Sequence, residues 1–104
     1  MTRKRLLPAD RKAEILTAAL DVAARKNGWS SLTREAVAAT ANCSPASISV
    51  HFGTMIAFRR TIMREAVRTA KLPIIAQGLA AGDTHARKAP PAVCAAALDY
   101  LLKG

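Results

Sequence analysis

Three serines and a histidine fall within one short stretch, NCSPASISVHF, from Asn42 to Phe52. Hydroxyls at Ser44, Ser47 and Ser49 and the imidazole of His51 could serve a nucleophile, a metal, or contacts to phosphates and base edges. The first two uses need companions that the chain lacks. His51 and His85 have no Cys or carboxylate at a metal-binding spacing, and there is no Gly-rich phosphate loop or nucleophile elbow. Seven acidic residues in all leave a paired-carboxylate site without material. Catalytic residues, metal and cofactor are therefore all expected to be none. The surviving chemistry is hydrogen bonding to nucleic acid, in which Ser donates to phosphates or base edges and Ala or Val touches a thymine methyl.

The charge balance points the same way. Sixteen Lys+Arg against seven Asp+Glu give a formal net charge of +9 on 104 residues. Such an excess suits a polyanion: nucleic acid first, an anionic membrane surface second, with a merely solubilising surplus as the plain alternative. The length fits one compact domain. Hydrophobic residues make up 51%, but many are Ala and aromatics are only 4%, so a thin core is expected to gain from a partner chain or ligand. Cys43 and Cys94 match no metal or redox spacing and read as small buried hydrophobes in a reducing compartment. The basic N-terminus has no apolar run long enough for a secretory signal. The charge-free stretch 36–58 carries too many polar residues and breakers to span a membrane, so a cytoplasmic location is expected.

The elements that must hold the serines are helical. Residues 1–9 read as a flexible basic arm with Arg3, Lys4 and Arg5, and Asp10 as the cap of a first amphipathic helix that stops at Asn27-Gly28. Ile15, Ala19 and Val22 share its inward side, and Trp29 should fold back onto the core. Thr33 caps a short second helix with Val37, Ala38 and Ala41 inward, ending near Thr40 or Ala41. Asn42 suits the corner of a tight turn because it tolerates positive φ. Ser44 then caps a third helix with Pro45 at its first position, where the missing N–H costs nothing. At about 100° per residue, Pro45, Ile48 and Phe52 face inward, while Ala46, Ser47 and Val50 face out, flanked by Ser49 and His51. That outer face is small and neutral, which lets a backbone lie close to a surface. A fourth helix should run from Gly53-Thr54 to about Lys71, with a stripe of Arg60, Arg64, Arg68 and Lys71. Pro73 breaks the pattern before a short helix through IIAQGLAAG. DTHARKAPP reads as a loop, and a terminal helix follows whose apolar circumference needs cover from its own chain or a second copy.

The stretch LTREAVAATANCSPASISVHFG resembles the DNA-binding domain of the tetracycline-repressor (TetR-like) family. That pattern has Thr opening helix two, Ile-Ala within it, Ala-Gly-Val-Ser at the turn, a short recognition helix and a closing aromatic-Gly. Thr33, Val37-Ala38, Ala41-Asn42-Cys43-Ser44 and Phe52-Gly53 take those places, and AEILTAALDVAARKNGWSSLT is similar to the family's first helix and following loop, so the likeness covers about residues 11–70. It departs at Ser49, where the family usually has Tyr, at Met55, where it has Lys, and at Asn42, where the turn has Gly. Only about fifty residues follow Phe52, leaving little room for the family's inducer pocket.

The expectation is an all-α chain in three parts. Residues 1–9 form the arm, and 10–53 a three-helix helix-turn-helix DNA-binding domain. Residues 54–104 supply two or three further helices in all, a linking helix and a short C-terminal helical region for dimerisation. The resemblance implies a sequence-specific transcriptional regulator, a repressor by family habit, bound to double-stranded DNA as a homodimer with half-sites about 34–36 Å apart. Carried across, the DNA-facing positions are Thr33, Ser44, Pro45, Ala46, Ser47, Ser49, Val50 and His51. Arg3, Lys4, Arg5, Arg34, Arg59 and Arg60 stand in for the family's Tyr and Lys, and Arg11 and Lys12 add electrostatic affinity. Removing the arm should flatten the log–log salt dependence by roughly 0.9 for every phosphate that the arm neutralises. Two rivals predict different behaviour. A sequence-neutral coating protein would bind random duplexes equally, and a helical adaptor using its last helix would not shift DNA at physiological salt.

Overall fold

A computed structural model describes residues 8–103, with side chains from Asp10 onward. Among these residues there are seven helices and no strand: α1 (Pro8–Ala23), α2 (Arg34–Ala41), α3 (Pro45–Phe52), α4 (Met55–Arg68), α5 (Leu72–Ala81), α6 (Thr84–Arg87) and α7 (Pro91–Lys103). The chain is thus all-helical. No described helix is long and apolar enough to cross a membrane.

Two groups of helices share α4. On one side α1 packs on α2, α2 on α3, and both α1 and α3 on α4; on the other, α5 packs on α7, α6 and α4. Their buried residues form one continuous cluster, with Ile15, Val37, Ile48, Phe58, Ile62, Met63, Ile74 and Ile75 fully inside. Phe52 and Phe58 tilt against each other at 4.7 Å where α3 meets α4. Gly78 lets α5 approach closely, since a Cβ there would press on the Met63 side chain and on Ala86.

Several sequence expectations need correction. Residues 8 and 9 belong to α1, not to the arm, and Asp10 lies inside the first helical turn because Pro8 begins the helix. The first helix ends at Ala23, well before Asn27-Gly28. Asn27 itself takes the left-handed conformation (φ 58°). Gly28 serves by size instead: a Cβ would collide with the carbonyl oxygens of Val22 and Arg25. Helix α4 stops at Arg68, before Lys71, because Ala70 turns left-handed (φ 54°) and Lys71 N–H closes back on Ala66 O. Pro73 does not precede the fifth helix but sits in its first turn, where no N–H is needed. The expected loop after it holds a single-turn helix, α6, capped by Asp83, whose Oδ2 accepts from Ala86 N–H at 3.0 Å. Four helical segments therefore follow α3. Cys43 and Cys94 are free thiols, half-buried where fully buried ones were expected.

Candidate nucleic-acid interface

Local chemistry builds the corner between α2 and α3. Thr33 Oγ1 accepts from Ala36 N–H at 3.1 Å, satisfying one of the otherwise unpaired donors at the start of α2. Asn42 terminates α2 in the left-handed region (φ 56°, ψ 51°), and Cys43 N–H closes on Ala38 O at 3.0 Å. Ser44 then caps α3: its Oγ accepts from Ser47 N–H and lies 3.1 Å from Ser47 Oγ. The short link 42–44 suffices to turn the chain because its outer residues, Asn42 and Ser44, are both capping types.

Helix α3 is anchored by Ile48 and Phe52, both buried. The opposite side carries Ala46 and Val50 one turn apart, with Val50 82% exposed. Ser49 is exposed on one flank; Ser47 and His51 are half-buried on the other. His51 leans on Phe52 with ring centroids 6.5 Å apart. Pro45, expected to bury with Ile48, is exposed. It shares their side of the wheel, but as the first helical residue it lies one turn ahead of the segment that Ile48 anchors. No residue of α3 carries a formal charge apart from any proton on His51.

The charged candidates surround this face unevenly. Arg3, Lys4 and Arg5 lie outside the described residues. Arg34 opens α2 and is half-buried, with its Nε shielded and unpartnered among the described residues. Arg59 is half-buried on α4, where its carbonyl accepts from Trp29 Nε1–H at 3.2 Å; Arg60 is exposed, about 100° further round the helix. Sequence reasoning assigns Lys12 only a general electrostatic role. Its Nζ stands 5.5 Å above the Phe52 ring, which fixes a cation at the C-terminal end of α3, the end a helix dipole favours for positive charge. Ile56 escapes that reasoning altogether. It is 66% exposed in the first turn of α4 and lies about 120° from the buried Ile62, an angle the helical wheel discloses.

Most acidic residues are spent locally. Glu14 faces Arg11 at 3.8 Å, Asp21 faces Arg25 at 3.4 Å, Asp99 faces Lys103 at 3.0 Å, and Glu65 holds Arg68. The Arg68 hydrogen bond keeps the Glu65 carboxyl below its ordinary range, and raises Arg68 in turn. Lys12, Lys26, Arg34, Arg59, Arg60, Arg64, Lys71, Arg87 and Lys88 have no carboxylate partner among the described residues. These free cations lie on α1, α2, α4 and α6 and in the connections between helices, so the surplus is spread and not confined to one patch. Comparison with protein families, curated proteins and solved structures finds nothing that matches this chain.

Proposed function

We propose that the chain is a sequence-specific DNA-binding transcriptional regulator, a TetR-like repressor whose α2–turn–α3 unit is a helix-turn-helix. Helix α3 enters the major groove, Ser49 and Ser47 hydrogen-bond to base edges or phosphates, and Ala46 and Val50 meet the apolar base edges. Arg3, Lys4 and Arg5, with Lys12, Arg34, Arg59 and Arg60, hold the phosphates. The observation that carries this reading is the outward side of α3: exposed, small and uncharged on a chain of net charge +9. A surface meant only for water would carry Lys or Glu at such positions. Affinity and selectivity would then come from different residues, cations for the first and α3 for the second.

The regulator acts as a homodimer through α7, which leaves Leu98, Tyr100, Leu101 and Leu102 exposed. Selection of bound fragments from a random duplex pool tests the reading. The expected result is a two-fold symmetric site with half-sites one helical turn apart. Equal retention of all duplexes would favour a coating protein, and no retention at physiological salt would favour an adaptor acting through α7.

A further inference from the structure

Hydrogen-bonded discrimination of bases in the major groove relies on a few side chains: Arg or Lys on guanine, Asn or Gln on adenine, Asp or Glu on the cytosine amino group. Helix α3, Pro45–Phe52, contains none of these residue types. Its imidazole does not fill the gap. His51 is half-buried against Phe52, and one ring N–H given to a purine N7 does not separate guanine from adenine, which share that acceptor.

What α3 presents instead is aliphatic. Val50 is 82% exposed, and Ala46 is exposed one turn before it on the same side. The apolar feature of a base edge in the major groove is the C5-methyl group of thymine. Residues 46 and 50 lie about 6 Å apart along the helix axis, which covers about two base-pair steps of ~3.4 Å. Two methyl groups on neighbouring steps are within their reach.

The hydroxyls add little preference of their own. Ser47 Oγ lies 3.1 Å from Ser44 Oγ, inside the helix cap. The Ser49 hydroxyl has no partner among the described residues, and a hydroxyl donates or accepts by rotating. It can donate to thymine O4 or accept from the cytosine N4 amino group. Those two groups are what separates thymine from 5-methylcytosine on this edge; the C5-methyl is common to both.

We propose that α3 reads C5-methyl groups, so that 5-methylcytosine replaces thymine in its half-site and methylation of cytosine there strengthens binding. The inference rests on the DNA-binding reading above and adds a ligand class to it, C5-methylated DNA, with a covalent mark on the DNA as the means of control. Val50 determines the specificity, and Ala46 supplies the second apolar contact. The cations contribute alike to every duplex.

Fragments selected from a random duplex pool by the full chain supply the parent half-site, which should hold thymines no more than about two base-pair steps apart. At each such position four duplexes are made, carrying thymine, uracil, 5-methylcytosine or cytosine. Thymine differs from uracil, and 5-methylcytosine from cytosine, by one methyl group alone. Fluorescence anisotropy should show about fourfold tighter binding with the methyl in both pairs, as expected for burying one such group. Val50→Ala alters only an exposed side chain. It should bring both ratios at one position close to one and leave the uracil and cytosine duplexes unchanged. Equal binding within either pair, or a Val50→Ala variant that keeps both ratios at every position, would overturn the inference and leave the DNA-binding reading standing. A selected half-site without thymine would do the same. Retention of no duplex at all would overturn both.

Discussion

Helices α3 and α7 both turn uncovered apolar groups to solvent, yet the two faces are made differently. On α3 a single Val50 stands among Ala46, Ser47 and Ser49, with nothing long enough to hold a partner's side chain. On α7 the exposed residues are Leu98, Tyr100, Leu101 and Leu102, the last 87% exposed. A bulky apolar face loses most by staying wet and gains most from a second apolar surface, at about 25 cal/mol per Å². A low, hydroxylated face gains little from apolar burial but can meet a rigid hydrated edge closely. Exposure alone therefore does not identify a docking surface; the size and polarity of what is exposed decide what fits it.

The largest effect expected from this contrast comes from placing a carboxylate on α3. Val50→Glu should lower selective DNA affinity by at least about 100-fold, because the new charge faces base edges and phosphates without compensation. Thermal stability should hardly change, since Val50 is already in water; fluorescence anisotropy on a selected duplex, with calorimetry alongside, checks both halves. Next, Leu98→Asp with Leu102→Asp should convert dimers to monomers in sedimentation while helicity is kept. The same pair of changes should cut affinity for a two-half-site duplex far more than for one half-site. If sedimentation finds no dimer in the parent chain, the α7 half of the comparison fails. A smaller effect is expected at the corner. Ser44→Ala removes the α3 cap and should cost about 1 kcal/mol in chemical denaturation, whereas Ser49→Ala, which caps nothing, should leave stability unchanged.

The smallest effect is electrostatic. Because Arg68 lowers the Glu65 carboxyl, the folded state releases that proton more readily than the unfolded one. The pair's contribution is fully present above the ordinary carboxylate range and disappears as pH falls through the lowered value. Glu65→Gln should therefore be slightly less stable than the parent at pH 7 and equal to it in strong acid. Both side chains reach solvent, so the difference should be small and shrink with salt.

What sequence reasoning can read, and what it cannot, divides along the reach of the interactions. Thr33, Asn42, Ser44 and Pro45 act within four residues of themselves, so their capping and turning roles are legible from residue type. The Ile48–Phe52 face follows from helical periodicity. The end of α1 does not, because the groups that fix the chain after Ala23 include Gln77, more than fifty residues away in sequence from the carbonyl it holds. The burial of Pro45 is misjudged because a wheel gives direction but not how far along the axis the covering helices extend. Helix α6 looks like loop because one turn is too short for any period to show. Within the candidate site, the neutral face is legible and the outward place of Ile56 follows from the wheel of α4, whereas the Lys12–Phe52 stacking depends on how α1 sits against α3.

Gln77 also has a mechanical consequence. One primary amide from α5 ties Ala23, Arg25 and Trp29, while the Trp29 indole is tied to α4. Cutting the chain after α4 would leave Ala23 O and Trp29 N–H without the Gln77 amide and lay bare the faces of Met63 and Ala66, so the front half should not survive as an autonomous fragment. The amide proton of Trp29 should accordingly exchange with solvent only when the entire molecule opens, at a rate that tracks global denaturation instead of loop fraying.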